Sequence, residues 1–218
     1  AAAAFDVFDS EPALDNPLFG LENVVCTPHL GAATSEAQVK VAIQVAKQIS
    51  DYLREGAITN SINSPSISAA EAPLLKPWVK VSDVLGGFIG QVIESGLKEI
   101  NIEYVGSVGE LNTRPLTCSI VASILNPIVG LGSVNLVSSL IFARERGISI
   151  SEIKKDSQGA FGSYIRILVK TERAIRSAAG TVYSDGKPRF IQINGIDMDT
   201  MPQKFMLYTS NLDTPGFI

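Results

Sequence analysis

Residues 148–194 contain ISISEIKK (148–155), SYIRILVKT (163–171), AAGTVYS (178–184) and PRFIQIN (188–194), segments rich in β-branched residues and mostly alternating polar with apolar side chains. Such alternation is what a half-buried strand requires, because successive side chains point to opposite faces of a sheet. Asp185-Gly186 lies between the last two segments, and a glycine there supplies the backbone freedom of a tight hairpin. KFMLYTS (204–210) continues the pattern and is expected as a further strand.

Upstream the period changes. KEINIEYVG (98–106) alternates as a strand, but Trp78, Val81, Leu85, Phe88 and Val92 recur at helical spacing, with Gly96 beyond them. Two more helices are expected, near 115–126 with Pro115 in the first turn and Pro127 closing it, and near 134–146 with Gly147 closing it. Helices that precede most of the strands predict an α+β domain. The glycine-rich helix at 78–95 can pack closely against another helix, whose identity the sequence does not give.

Residues 34–55 form the clearest helical pattern. Ser35 and Gln38 fit a capping box, Ala37, Val41, Val45 and Ile49 recur every four residues, and Gly56 supplies the stop. Thr59–Pro73, dense in Ser, Asn, Ala and Pro, has the composition of an interdomain linker. Before residue 34, AAAAFDVF and NVVCTP read as short strands of the kind buried on both faces of a parallel sheet, joined by a Pro- and Asp-rich loop. The first begins with neither an initiator Met nor a lead-in, as expected of a domain entered midway. His29 follows the second strand, and the carboxyl ends of strands in open α/β sheets are where ligands bind. A lone histidine is more often structural than catalytic, so on spacing alone both readings stay open.

Apolar residues make up 45% of the 218 and argue for a packed core. No long apolar run or signal-peptide pattern is present, so a soluble protein without a membrane span is expected. Cys26 and Cys118 both lie in apolar surroundings, which predicts buried thiols in a reducing, cytoplasmic setting, and no metal site. The net charge of −4 is uneven. Residues 1–139 carry 7 basic and 14 acidic side chains (−7), residues 140–190 carry 10 and 5 (+5), and residues 191–218 carry 1 and 3 (−2). The basic stretch suits a small anion but is too short for nucleic acid, which demands many phosphate contacts. An ordinary solvated surface explains it equally well.

FDVFDSEP (5–12), NPLF (16–19), NVVCTPHLGAAT (23–34) and SEAQ (35–38) resemble, in order and spacing, the closing signature of the D-isomer-specific 2-hydroxyacid dehydrogenases. The resemblance implies that His29 is the general acid/base, that the Glu11 carboxylate hydrogen-bonds its imidazole, and that Asp6 contacts the carboxamide of an NAD cofactor. The bland reading of Asp6 is a strand-end residue satisfied by backbone amides. GGFIG (86–90) and GLGSVN (130–135) lack the GxGxxG spacing of a dinucleotide cradle. The cradle and the arginine for the substrate carboxylate belong upstream in that family, and the chain alone is expected to be inactive.

EAPLLKPWVKVSDVLGGFIGQ (71–91), ARERGI (143–148), SAAGTVY (177–183) and RFIQINGIDMD (189–199) resemble the long-form phosphoglycerate dehydrogenases. That resemblance implies NAD-dependent oxidation of 3-phosphoglycerate in serine biosynthesis and a homo-oligomer. It also implies a division into the end of a doubly wound nucleotide-binding domain (1–33), a helix and linker of the catalytic part (34–64), an allosteric substrate-binding domain (65–204) and the first strand of an ACT domain (205–218). Arg189 falls where the family places a cation for phosphate-type anions, although a second family arginine is replaced near Met201, with Lys204 the nearest cation. Asn211 and Asp213 fall near contacts to a serine effector. Two rival readings are a non-catalytic oligomerisation or effector-binding module, which has no reason to carry Glu11 and His29, and L-serine dehydratase, which needs clustered cysteines for its iron–sulfur cluster.

Overall fold

A computed structural model of the chain describes residues 1–94, 96–157 and 161–210. Asn211 and Asp213 lie outside the described residues. Backbone contacts divide the chain into two units, Ala1–Arg54 and Glu55–Ile218.

In the first unit β1 (Ala3–Phe5) pairs in parallel with β2 (Val24–Cys26), Ala4 standing opposite Val25. The expectation of strands buried on both faces is not met, for Ala3, Ala4, Phe5 and Val25 are exposed; among the described residues the sheet has only these two strands. α1 (Ser35–Glu55) follows with the expected length, and Gly56 at φ 78° ends it. Its cap is one residue earlier than expected: the Thr34 hydroxyl accepts the Ala37 N–H at 3.2 Å. None of its residues is buried.

The second unit holds a six-stranded sheet ordered β4-β3-β5-β6-β7-β8, built from β3 (Leu97–Gly106), β4 (Ser149–Lys155), β5 (Ser163–Thr171), β6 (Ile175–Val182), β7 (Pro188–Ile193) and β8 (Ile196–Thr200). β3 and β4 are parallel and the other pairs antiparallel, which makes it a mixed sheet compatible with the α+β expectation. Cross-strand register lines up Ile102, Ile167, Ala178 and Ile193 in one row, and these pack with Leu85 and Ile89 of α2 (Ala72–Val92) and Ile120 and Ile124 of α3 (Arg114–Val129) in one core.

α2 starts six residues before Trp78, because Ser68 and Glu71 form a reciprocal cap: the Ser68 N–H donates to Glu71 Oε2 at 3.0 Å and the Glu71 N–H to Ser68 Oγ at 3.2 Å. The supposed linker therefore carries a helix signal, and its Ile67 is buried in this unit. Pro127 does not close α3. It sits in the last turn, and the helix ends at Gly130 with φ 116°. α4 is short (Ser139–Glu145), since Asn135 Oδ1 accepts the N–H groups of Val137 and Ser138 and holds a turn where helix was expected. The Asp185-Gly186 hairpin forms, with Gly186 at φ 73°. A second, unforeseen hairpin joins β7 to β8 through Asn194-Gly195, both at positive φ, the backbone of a two-residue turn. KFMLYTS is not a strand. β8 already occupies the sheet edge there, and Tyr208 instead stacks edge-on against Phe88 at 5.4 Å.

The partner of the glycine-rich helix is α3. A Cβ on Gly86 would lie 2.7 Å from the Ile120 carbonyl oxygen, and one on Gly90 would collide with that of Ile124, whereas Gly87 faces open space. Gly90→Ala is expected to cost about 2 kcal/mol by overpacking and to lower Tm by roughly 6 °C. Gly87→Ala should leave Tm unchanged or raise it by a few degrees, since alanine favours the helix. Equal thermal melts for the two variants would contradict the close approach.

Candidate active site

The first unit builds one cleft of about 530 Å³, lined by Phe8, Glu11, Pro12, Phe19, Cys26, Thr27, Pro28 and His29 among others. Its base is organised by Asp6, just past β1. One carboxylate oxygen of Asp6 accepts the Thr27 hydroxyl at 2.5 Å and the Leu30 N–H at 2.7 Å, and the other accepts the Gly31 N–H at 2.8 Å. The hydrogen bond from Thr27, then those from the two amides, holds this carboxyl below its usual range. A Cβ on Gly31 would lie 3.1 Å from Asp6, so a side chain there would crowd the carboxylate.

The turn so pinned carries His29 at φ 56°, a left-handed conformation uncommon for a residue other than glycine. The His29 N–H donates to the Asp6 carbonyl at 2.9 Å, which helps retain it there. Such a backbone at the end of a strand turns the imidazole toward Glu11. Nδ1 lies 2.6 Å from Glu11 Oε2, while Glu11 Oε1 accepts the Phe8 N–H at 3.0 Å. A carboxylate can only accept, so Nδ1 carries the proton and Nε2 is the ring's free acceptor.

Glu11 raises the His29 pKa, chiefly through this hydrogen bond, and His29 in turn lowers that of Glu11, with the Phe8 amide second. The imidazole is 56% exposed and can reach a bound molecule. Phe8 and Phe19 meet edge-to-face at 5.4 Å and give the cleft an apolar wall. No Lys or Arg is among its described lining residues. This arrangement can remove a proton from a hydroxyl and return it.

The expected Glu11–His29 pair is thus present, and Asp6 supports the turn beneath it. Thr27 and the Phe8 amide were not foreseen. The T-P-H-L-G order places Thr27 two residues before the histidine, the one hint the sequence held. Cys26 is only half-buried, against expectation, because it lines the cleft; Cys118 is buried, and burial pushes its thiol up.

A family model described as the D-3-phosphoglycerate dehydrogenase intervening domain matches residues 74–194, most of the second unit. The chain belongs to the D-3-phosphoglycerate dehydrogenase family. It is 32% identical over its whole length to D-3-phosphoglycerate dehydrogenases of Bacillus subtilis and Methanocaldococcus jannaschii, and 32% identical over 99% of its length to that of Synechocystis. It spans 41%, 41% and 39% of those relatives' own lengths. No described helix is long and apolar enough to cross a membrane.

In the intervening-domain unit, Arg189 is 14% exposed and is held at 3.6 Å by Asp185, at 3.8 Å by Asp199 and over the ring of Tyr183. Two carboxylates already occupy the guanidinium that was expected to receive an anion.

His29 is the only histidine in the chain, so its imidazole resonances can be followed without assignment. They are expected to titrate with a pKa above the ordinary value of about 6.5. Glu11→Gln should bring the midpoint back toward that value. Because the folded-state pKa is the raised one, the pair's stabilisation is complete below the unfolded histidine's pKa and fades as pH rises through the folded one. Identical titrations for the two proteins would show that the pair does not form.

Proposed function

We propose that this chain is the part of an NAD-dependent phosphoglycerate dehydrogenase that carries its proton-transfer pair and its regulatory domain, and that the reaction oxidises 3-phosphoglycerate to 3-phosphohydroxypyruvate in serine biosynthesis. The observation that carries the reading is the 2.6 Å contact between His29 and Glu11, set on a turn pinned by Asp6. An isolated oligomerisation or effector module would have no use for it.

His29 Nε2 accepts the proton of the substrate hydroxyl, and the Glu11 carboxylate holds the ring and stabilises the imidazolium that forms. In the reverse direction the same imidazolium returns the proton. Bound NAD would supply the hydride acceptor for the substrate's carbinol carbon. Asp6 fits the nicotinamide end, since its second oxygen accepts only the Gly31 N–H and has capacity for a carboxamide N–H. The pyrophosphate cradle and the cations for the substrate's carboxylate and phosphate are proposed to come from the rest of the longer enzyme, because neither the glycine spacings here nor the cleft lining supplies them.

Residues 1–33 are read as the end of the nucleotide-binding domain, 34–64 as a helix and linker, 65–204 as an allosteric substrate-binding domain and 205–218 as the start of an ACT domain, in a cytoplasmic homo-oligomer. Regulation by serine or a phosphate-type anion belongs to this reading. For Arg189, the two carboxylates favour a role in tying the β6–β7 hairpin to β8.

In the complete dehydrogenase His29→Asn is expected to lower kcat by about 10²–10⁴. Glu11→Gln should lower kcat and move the acidic limb of the pH–rate profile for oxidation to lower pH, since the base would no longer be raised. The 218-residue chain alone is expected to form no NADH from 3-phosphoglycerate. A His29→Asn enzyme with undiminished kcat would refute the assignment.

A further inference from the structure

The second unit has a cleft of about 260 Å³ remote in sequence from the proton-transfer pair. Arg114 at the start of α3, Arg144 in the last turn of α4 and Glu152 on β4 all line it, with Thr117, Leu140, Ile148 and Ile150 completing the wall. Three separate elements therefore bring two cations and one anion to one depression. Among the described residues none of the three charges neutralises another. Neither guanidinium makes a hydrogen bond or ion pair, and the Glu152 carboxylate accepts only the Thr113 hydroxyl, at 3.2 Å. Opposite charges that share a cleft without pairing leave their hydrogen-bonding capacity to a ligand.

The pattern selects the ligand's charges. Two guanidinium groups suit a carboxylate, whereas a dianion such as phosphate would meet the repulsion of Glu152. A cationic group beside the ligand's carboxylate answers Glu152. The apolar wall of Leu140, Ile148 and Ile150 offers nothing to a third charge, and the volume is that of a metabolite rather than a drug-sized molecule. We infer that this cleft binds a small neutral α-amino acid, with its carboxylate on Arg114 and Arg144 and its ammonium on Glu152. The site is independent of the catalytic reading.

Calorimetric titration of the chain with glycine, L-alanine and L-serine, beside L-lactate and inorganic phosphate, tests this directly. L-lactate keeps the carboxylate and shape of alanine but lacks the ammonium, so it should bind at least about tenfold more weakly, the loss expected for one charge-assisted hydrogen bond. An Arg114→Gln/Arg144→Gln double variant should lose amino-acid binding, and Glu152→Gln should erase the preference for alanine over lactate. Both arginines are exposed, so the double variant should keep the parent's Tm. Amino acids that fail to bind at millimolar concentration, phosphate that binds more tightly than alanine, or serine binding that survives in the double variant would each overturn the proposal. The alanine–lactate comparison on the unmodified chain stands even if a variant fails to fold.

Discussion

The second unit is organised around the place where α2 lies almost backbone to backbone against α3. Gly86 and Gly90, one helical turn apart, face the carbonyl oxygens of Ile120 and Ile124, and no side chain larger than hydrogen fits between them. That approach brings Leu85 and Ile89 down onto the sheet beside Ile120 and Ile124, so both helices share one apolar layer with β3, β5, β6 and β7. Gly180 in β6 serves the same layer from below, because a Cβ there would press into Leu85 at 3.2 Å. Interiors pack at crystal-like density, so such contacts set the positions of whole elements rather than of single residues.

The candidate active site rests on a smaller device of the same kind. Asp6 gathers a hydroxyl and two amides, and the chain from Thr27 to Gly31 is wound around its carboxylate. His29 is held in a left-handed conformation that it would rarely adopt free. Glu11 then meets a ring whose direction is already set. Its own orientation comes from the Phe8 amide, which leaves one oxygen for the imidazole. The pair is solvent-accessible, so its value lies in fixing a tautomer and strengthening a base more than in stabilising the fold.

Charge in the intervening-domain unit divides in an instructive way. The basic excess of residues 140–190 does not gather into one patch. Lys155 and Arg166 both engage Glu103, and Arg189 is spanned by Asp185 and Asp199. Arg144, with Arg114 from outside the basic stretch, opens on a cleft instead. Counting charges along a chain could not separate cations spent on neighbouring strands from those left facing a ligand.

What the sequence determined by itself were the features carried by local pattern: the strands at 98–106, 148–155, 163–171 and 188–194, the helix at 34–55, the Asp185-Gly186 hairpin, and the motifs in which Glu11 and His29 are recognisable. Signals of the same kind stand at Ser68–Glu71, inside a stretch of linker-like composition, and at Asn194-Gly195, inside the RFIQINGIDMD motif. Tertiary structure alone decided the rest. It chose α3 as the partner of the glycine-rich helix, gave the sheet edge to β8 rather than to residues 204–210, filled Arg189 with carboxylates and left Arg114 and Arg144 open. Those outcomes depend on which groups meet across long stretches of chain, and periodicity records only which way each residue faces, not what waits on the other side.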